Sequence, residues 1–179
     1  MNITYTIWQA PVCEIILAAD EIGLIHLHLN TGQGSRKFTI DPAWIRDDEN
    51  DILRRATAQL EEYFSGKRDH FDLPLHPRGT DFQQRVWHAL KAIPFGETRS
   101  YKQIAVAIGN PQSARAVGAA NGKNPLPLVI PCHRVIGATG KLTGFSHGVE
   151  IKAYLLQLEQ NDRKQEKAGQ QTLMTFVVE

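Results

Sequence analysis

Residues 128–136, Leu-Val-Ile-Pro-Cys-His-Arg-Val-Ile, set a thiol and an imidazole side by side within an apolar run. A thiolate is the nucleophilic form of cysteine, and histidine is the usual group that generates one, so Cys132 and His133 could together do nucleophilic chemistry. The β-branched residues around them predict a buried strand. Pro131 has no N–H to give a ladder, which predicts a bulge or strand end at that point. The break matters because neighbours on a flat strand point to opposite faces. Cys132 and His133 can cooperate only through such a kink or through a bridging water. A lone buried cysteine is more often a small core residue. The titratable neighbour and the interrupted strand favour a reactive thiol here.

The flanking sequence supplies the elements that must hold this pair. Thr80 and Gln83 form a capping box for a helix carrying Phe82, Val86, Leu90 and Ile93, which Pro94 ends. Ser100 and Gln103 cap a second helix with Ile104, Ala105 and Ile108, stopped by Gly109. Asn110-Pro111 predicts the start of a third, running through Ala120 to near Gly122. The last two helices across a glycine turn fit a helix-turn-helix unit, although ordinary helical domains contain the same pairing. The third helix is nearly all Ala and Gly with one cation, Arg115. Small side chains allow close approach, either to a DNA groove or to another helix. Residues 121–125 form a turn-rich link, and 137–148 a glycine-punctuated loop that brings residues 143–146 toward the thiol. Ile151 to Glu159 reads as an amphipathic helix with Ile151, Leu155 and Leu158 inward. Residues 161–170 are polar, and Leu173 to Val178 is apolar and β-prone.

The first half offers no nucleophile with a nearby base. Residues 3–9, 13–19 and 23–29 predict an antiparallel meander, followed by a loop marked by Gly32, Gly34 and Pro42. Residues 50–65 carry Leu53, Ala56, Leu60 and Phe64 at helical spacing, with Gly66 as the C-cap. Phe71, Leu73 and Leu75 could add a strand before a linker at 76–79. His26, His28, His76 and Cys13 raise zinc as an idea, but no paired Cys-x-x-Cys or His-x-x-x-His supports it, and no metal is expected. Residues 1–79 carry 8 Lys/Arg against 12 Asp/Glu, whereas residues 80–160 carry 9 against 4. A basic half beside an acidic half suits an anionic partner such as nucleic acid. Two cysteines, no signal peptide and no long apolar run predict a cytoplasmic protein without a membrane span.

The segment Pro131-Cys132-His133-Arg134-Val135 follows Ala114-Arg115-Ala116-Val117-Gly118 and Asn124-Pro125, and precedes Thr143-Gly144-Phe145-Ser146. Together these resemble the O6-alkylguanine-DNA alkyltransferase (methylated-DNA–protein-cysteine methyltransferase) family, most closely over residues 80–160. The resemblance implies an α/β, ribonuclease-H-like N-terminal domain over 1–79. It implies a mainly helical, helix-turn-helix DNA-binding and alkyl-acceptor domain over 80–160, with 161–179 as an extension. It implies irreversible, single-turnover transfer of an alkyl group from guanine O6, and less well from thymine O4, in double-stranded DNA. Cys132 would be the acceptor, with His133 and Glu159 holding a water that takes the thiol proton. Asn124 would brace the active-site turn and Tyr101 would act on the flipped base. Arg115 would occupy the vacated space, with Ala114 and Gly118 beside it on the DNA-contacting helix. Ser146, Lys152 and Val135 would line the substrate pocket. No cofactor is implied, and a monomer is expected.

Two departures from the family pattern stand out. His147 takes the place of the first of two glycines after the pocket-loop serine, which would narrow the pocket or add charge near the phosphates. Val12-Cys13 stands where a Gly-Pro turn is expected. Two rival functions draw on the same residues. A cysteine hydrolase would use the same pair but would want an oxyanion hole and a third orienting group. A non-catalytic reader of alkylated DNA would share the helices but lack the acceptor cysteine.

Overall fold

The computed structural model describes residues 2–35, 37–142 and 144–176, with side chains described as far as residue 162. Three strands form the meander: β1 (Thr4–Gln9), β2 (Glu14–Ala19) and β3 (Leu24–Asn30). A two-residue β4 (Ile45–Arg46) adds in parallel to β1, giving the order β3-β2-β1-β4. The apolar run Ile15 to Ala19 makes β2 the central strand, buried on both faces. Helix α1 (Asp51–Phe64) packs on this sheet. Asn50 caps it, its Oδ1 accepting from the Ile52 and Leu53 N–H groups at 3.0 and 3.2 Å. Leu53, Ala56, Leu60 and Tyr63 form its fully buried stripe.

The first predicted strand beyond α1 does not form. Phe71 to Leu75 makes only a single bridge, Leu24 to Leu75, because this stretch covers the end of β3 instead of extending the sheet. Its backbone nonetheless closes part of the β3 edge, with Leu24 N–H donating to Pro74 O and His76 N–H to Leu24 O, both 2.8 Å. Further along the same edge, Leu27 N–H donates to Pro125 O at 2.8 Å. The meander is thereby stitched to the link that leads into the thiol segment. The connection at 76–79 is itself strapped down: His76 Nδ1 lies 2.7 Å from Asp20 Oδ2, and Arg78 Nη2 is 3.3 Å from the same oxygen.

The second half is helical. Helix α2 (Asp81–Lys91) and α3 (Tyr101–Ala107) both carry the expected capping boxes, on Thr80/Gln83 and Ser100/Gln103. Helix α4 (Ala114–Gly122) starts later than Asn110-Pro111 predicted. Residues 110–113 close a turn first, with Ser113 N–H and Oγ both donating to Asn110 O at 3.0 and 2.7 Å. Asn110 spends its carbonyl on that turn, so helical geometry begins only at Ala114. Trp87 Nε1 donates to Ala120 O at 2.9 Å and ties α2 to α4. Helix α5 spans Val149–Phe176, passing unbroken through residue 160 and including most of the β-prone tail. Val177 and Val178 lie outside the described residues.

Candidate active site

The segment 128–136 is not a strand. Leu128 adopts φ 72°, Cys132–Arg134 forms one 3₁₀ turn, and only Val135–Ile136 is extended, as β6, pairing in parallel with β5 (Arg99–Ser100). Pro131 cannot join a ladder, and the left-handed Leu128 reverses the chain before one could start. A leucine in that conformation costs about 1–2 kcal/mol. Two asparagines offset the cost. Asn124 Nδ2 donates to Ile130 O at 2.7 Å while its Oδ1 accepts from Leu126 N–H at 3.0 Å. Asn121 Nδ2 donates to Cys132 O at 3.3 Å. A 3₁₀ turn spaces successive side chains by a third of a revolution, so Cys132, His133 and Arg134 fan out in place of alternating. All three are buried.

His133 reaches α5. Its Nε2 lies 2.7 Å from Glu159 Oε1, and both residues are fully buried. The same carboxylate collects several other donors. Arg134 Nε and Nη2 reach Oε1 at 3.2 and 3.0 Å, and Nε reaches Oε2 at 3.0 Å. Gly96 N–H donates to Oε2 at 3.0 Å, and the Tyr63 hydroxyl donates to Oε1 at 2.8 Å. Arg134 is held further by Ile93 O at 2.7 Å and by the face of Phe95. Burial alone would raise the Glu159 pKa, but His133 and Arg134 bring it down to about 2. Glu159 is therefore a fixed anion at neutral pH. An ionised carboxylate only accepts, which assigns the proton of neutral His133 to Nε2 and leaves the lone pair on Nδ1. Among the described residues no protein atom hydrogen-bonds that Nδ1. Burial pushes the His133 pKa below its ordinary value, against the opposite pull of Glu159.

Lys152 sits one turn of α5 into the core. It is fully buried and its Nζ donates to Val135 O at 2.5 Å. Burial lowers its pKa to about 8, while its proximity to Cys132 favours the charged form. A cation beside a thiol stabilises the thiolate. Cys13, by contrast, is pushed up to about 11, first by burial and then by Glu14, and is an inert core thiol.

The DNA-facing residues form a second group. Arg115 is exposed on α4, with Ala114 and Gly118 half-buried on the same helix. The half-buried Tyr101 opens α3, and its ring approaches to 3.8 Å from where a Gly118 Cβ would stand. Its hydroxyl is 3.5 Å from the corresponding point on Gly144, which puts Tyr101 between α4 and the 137–148 loop. Ser146 Oγ donates to Gly122 O at 2.9 Å and pins that loop to the end of α4. Thr143 lies outside the described residues.

His147 is placed differently from the expectation. Its side chain is buried against Phe145 and against His28 of β3, with ring centroids 5.4 and 5.2 Å apart, and so does not reach a surface. The neighbouring backbone explains the turn inward: Thr31 Oγ1 donates to His147 O at 2.9 Å. Gly34 passes so close that a Cβ there would fall 2.3 Å from Ser146 O, a contact only glycine permits.

Four contributors were not singled out from sequence: Tyr63, Asn121, the Gly96 N–H and the Arg134 guanidinium. Tyr63 does carry a pattern, since it falls three residues after Leu60 on the apolar stripe of α1. Lys152 and Glu159, seven apart, likewise fall on the buried face of α5 with Leu155 and Leu156. Charges in the centre of an apolar stripe mark a buried polar network. Among the described residues no group of three or more His, Cys, Asp or Glu could hold a metal ion.

The chain is similar to known proteins over nearly its whole length. The family described as 6-O-methylguanine DNA methyltransferase matches twice, its ribonuclease-like domain over residues 3–77 and its DNA binding domain over 81–161. The chain is 59% identical over 162 residues to the methylated-DNA–protein-cysteine methyltransferase of Mycobacterium bovis, covering 89% of this chain and 93% of that one. It is 52% identical over 158 residues to the protein of the same name from Methanosarcina barkeri, covering 88% and 98%. Among solved structures, Mycobacterium tuberculosis OGT in complex with DNA superposes with a TM-score of 0.80 at 45% identity, covering 89% of this chain and 94% of that one.

Proposed function

The chain belongs to the 6-O-methylguanine DNA methyltransferase family, and on that premise we propose that it repairs DNA by moving the alkyl group from guanine O6 to Cys132. The observation that carries this reading is the buried Cys132 next to an imidazole whose Nε2 is engaged by ionised Glu159. That engagement orients His133 and leaves Nδ1 to take the thiol proton through a water. The attacked atom is an sp³ carbon, so the chemistry calls for a soft nucleophile in line with the leaving oxygen. The Cys132 sulfur forms a bond to the alkyl carbon as the carbon–O6 bond breaks, and that electron pair passes to the guanine. A donor at the departing base neutralises it, a role for the Tyr101 hydroxyl. Lys152 favours the thiolate and lines the pocket with Val135 and Ser146, while Asn124 keeps the turn that presents Cys132. Thiol, base and leaving group come from the chain and the substrate, so the reaction needs neither metal nor organic cofactor.

Duplex stacking hides the reacting carbon, and flipping the base out costs a few kcal/mol. Exposed Arg115 on a helix of small residues is suited to occupy the gap, with Ala114 and Gly118 permitting close approach. We read the substrate as double-stranded DNA carrying alkylated guanine, with alkylated thymine a poorer one. Residues 1–79 form one domain, 80–160 the acceptor domain and 161–179 an extension, in a monomer acting in the cytoplasm. No helix among the described residues is long and apolar enough to cross a membrane.

The product is a thioether, which offers no sulfur–sulfur bond for thiol exchange to reverse. One alkyl group per chain is therefore the expected stoichiometry. The test is titration of an alkylated duplex against active protein, read by intact mass. A plateau near one adduct, on Cys132, is expected; Cys132→Ala should give none and Cys13→Ala the full adduct. Repair continuing well past one site per chain, or an adduct surviving in Cys132→Ala, would overturn the assignment.

A further inference from the structure

Among the described residues, Tyr63 is the donor to the Glu159 carboxylate that comes from the N-terminal half of the chain. Its hydroxyl crosses 96 positions of sequence to reach Oε1 at 2.8 Å, and Oε1 is the oxygen that also meets His133 Nε2 at 2.7 Å. The ring is fully buried and clamped on three sides by Phe64, Phe71 and Phe95, with centroids 5.4, 5.5 and 6.1 Å away. The hydroxyl is thus aimed by packing and does not reorient freely. From this shared oxygen we infer that Tyr63 is a positioning residue of the alkyl-transfer site, setting how strongly Glu159 pulls on the His133 proton. The role rests on alkyl transfer to Cys132 being the function of the chain.

His133 must be neutral at rest to accept a proton at Nδ1, and becomes an imidazolium only while the thiolate reacts. A carboxylate with all its electron density directed at Nε2–H would hold the imidazolium too well, and His133 would begin protonated. Each further donor on Glu159 drains that pull. Tyr63 drains the very atom His133 uses, while Arg134 spreads over both oxygens and Gly96 N–H serves the other one. Tyr63 remains a neutral donor at any working pH: burial, Glu159 and Asp162 all raise its pKa, outweighing Arg134. Among the described residues, the charged and titratable groups around the carboxylate are His133 and Arg134 from the 3₁₀ turn and Tyr63 from α1, with Asp69 acting on Arg134. From α5, Asp162 acts on Tyr63 and Lys152 acts on His133.

This gives the N-terminal half a part in the chemistry besides scaffolding. If α1 lifts away from α5, the Tyr63 hydroxyl leaves Oε1 and His133 becomes a poorer base near neutral pH.

The test is the pH profile of single-turnover alkyl transfer to Cys132, measured on full-length protein with Tyr63→Phe. Phenylalanine keeps the ring contacts and removes only the hydroxyl. Losing one hydrogen bond to this oxygen should move the acid limb of the profile up by roughly half to one pH unit. Transfer well above the limb should stay within about threefold of the parent, because the proton acceptor itself is intact. A tyrosine fluorinated on the ring and installed at position 63 alone is a stronger donor, and should move the limb the other way. The ¹⁵N shifts of the His133 ring should track both displacements in the absence of DNA. A uniform fall in rate with an unmoved limb, or limbs moved alike by both replacements, would overturn the inference and make Tyr63 purely structural. Failure of the parent protein to alkylate Cys132 would instead overturn the proposed function, and the two failures are distinguishable.

Discussion

Replacing Glu159 by glutamine changes a charge without changing a shape, and the structure fixes the consequences. An amide keeps one acceptor oxygen and turns the other position into an NH₂ donor. Placed at Oε2, that donor faces Arg134 Nε and the Gly96 N–H; placed at Oε1, it faces Tyr63, His133 and Arg134. In both orientations donor meets donor. Arg134 loses its counter-charge and keeps neutral partners in its place: the remaining amide oxygen, Ile93 O and the Phe95 ring. Removing one partner of a buried pair costs about 3–5 kcal/mol, because the other charge stays buried and uncompensated. For a chain of this size that corresponds to a fall in Tm of roughly 10 °C. Thermal unfolding of Glu159→Gln at pH 7 measures it, and transfer should fall with it because His133 loses its acceptor. The double variant Glu159→Gln/Arg134→Met separates the two effects. Without a stranded cation it should recover most of the stability, yet transfer should stay low. A Tm for Glu159→Gln within about 2 °C of the parent would show that Glu159 and Arg134 do not compensate each other as a buried charge pair. A double variant that regained transfer along with stability would refute the role given to the carboxylate.

The same geometry sets two further outcomes. Glu159 and Asp20 both have folded pKa values near 2, below 4.5 and 3.8, and His133 is depressed from 6.5. A depressed folded pKa contributes stability above the unfolded value and loses it as pH falls. Unfolding free energy should therefore decline from about pH 6.5 downward, most steeply between about 4.5 and 2; a flat profile down to pH 3 would contradict the buried network. Arg115→Ala should slow transfer from duplex DNA far more than from the free alkylated base, and its duplex binding should become less salt-dependent. Equal losses on both substrates would make Arg115 structural.

How much of this was legible in the sequence depended on where each residue's partners lie. The meander, α1 and the two capping boxes were readable because periodicity, Gly66, Thr80/Gln83 and Ser100/Gln103 act within a few residues of themselves. The strand predicted over 128–136 failed because composition reports burial, whereas the backbone path there is decided by Leu128 and by side chains of Asn121 and Asn124 reaching across the turn. Pro131 did carry the one correct local hint, that no ladder could pass it. The start of α4 failed for a similar reason, since Asn110 fits a cap by type but is consumed by its own turn.

The site was legible in proportion to how local its chemistry is. Cys132 and His133 are adjacent, and nucleophile chemistry can be read from that pair alone. The groups that tune the pair are not adjacent. Glu159 lies 26 residues from His133, and Tyr63 lies 96 from Glu159. A sequence motif records which atom attacks, but the protonation state of its base is set by helices that meet only in the fold. The buried charges on α5 could have announced this, because Lys152 and Glu159 interrupt an apolar stripe and must be compensated from elsewhere. The family resemblance paired Glu159 with His133, but nothing in the sequence named its other partners. Two of them, Tyr63 and the Gly96 N–H, lie on segments that the chemistry of cysteine gives no reason to inspect. The electrostatic design of this site is thus a tertiary property, and variants of α1 that never touch DNA should change its reactivity.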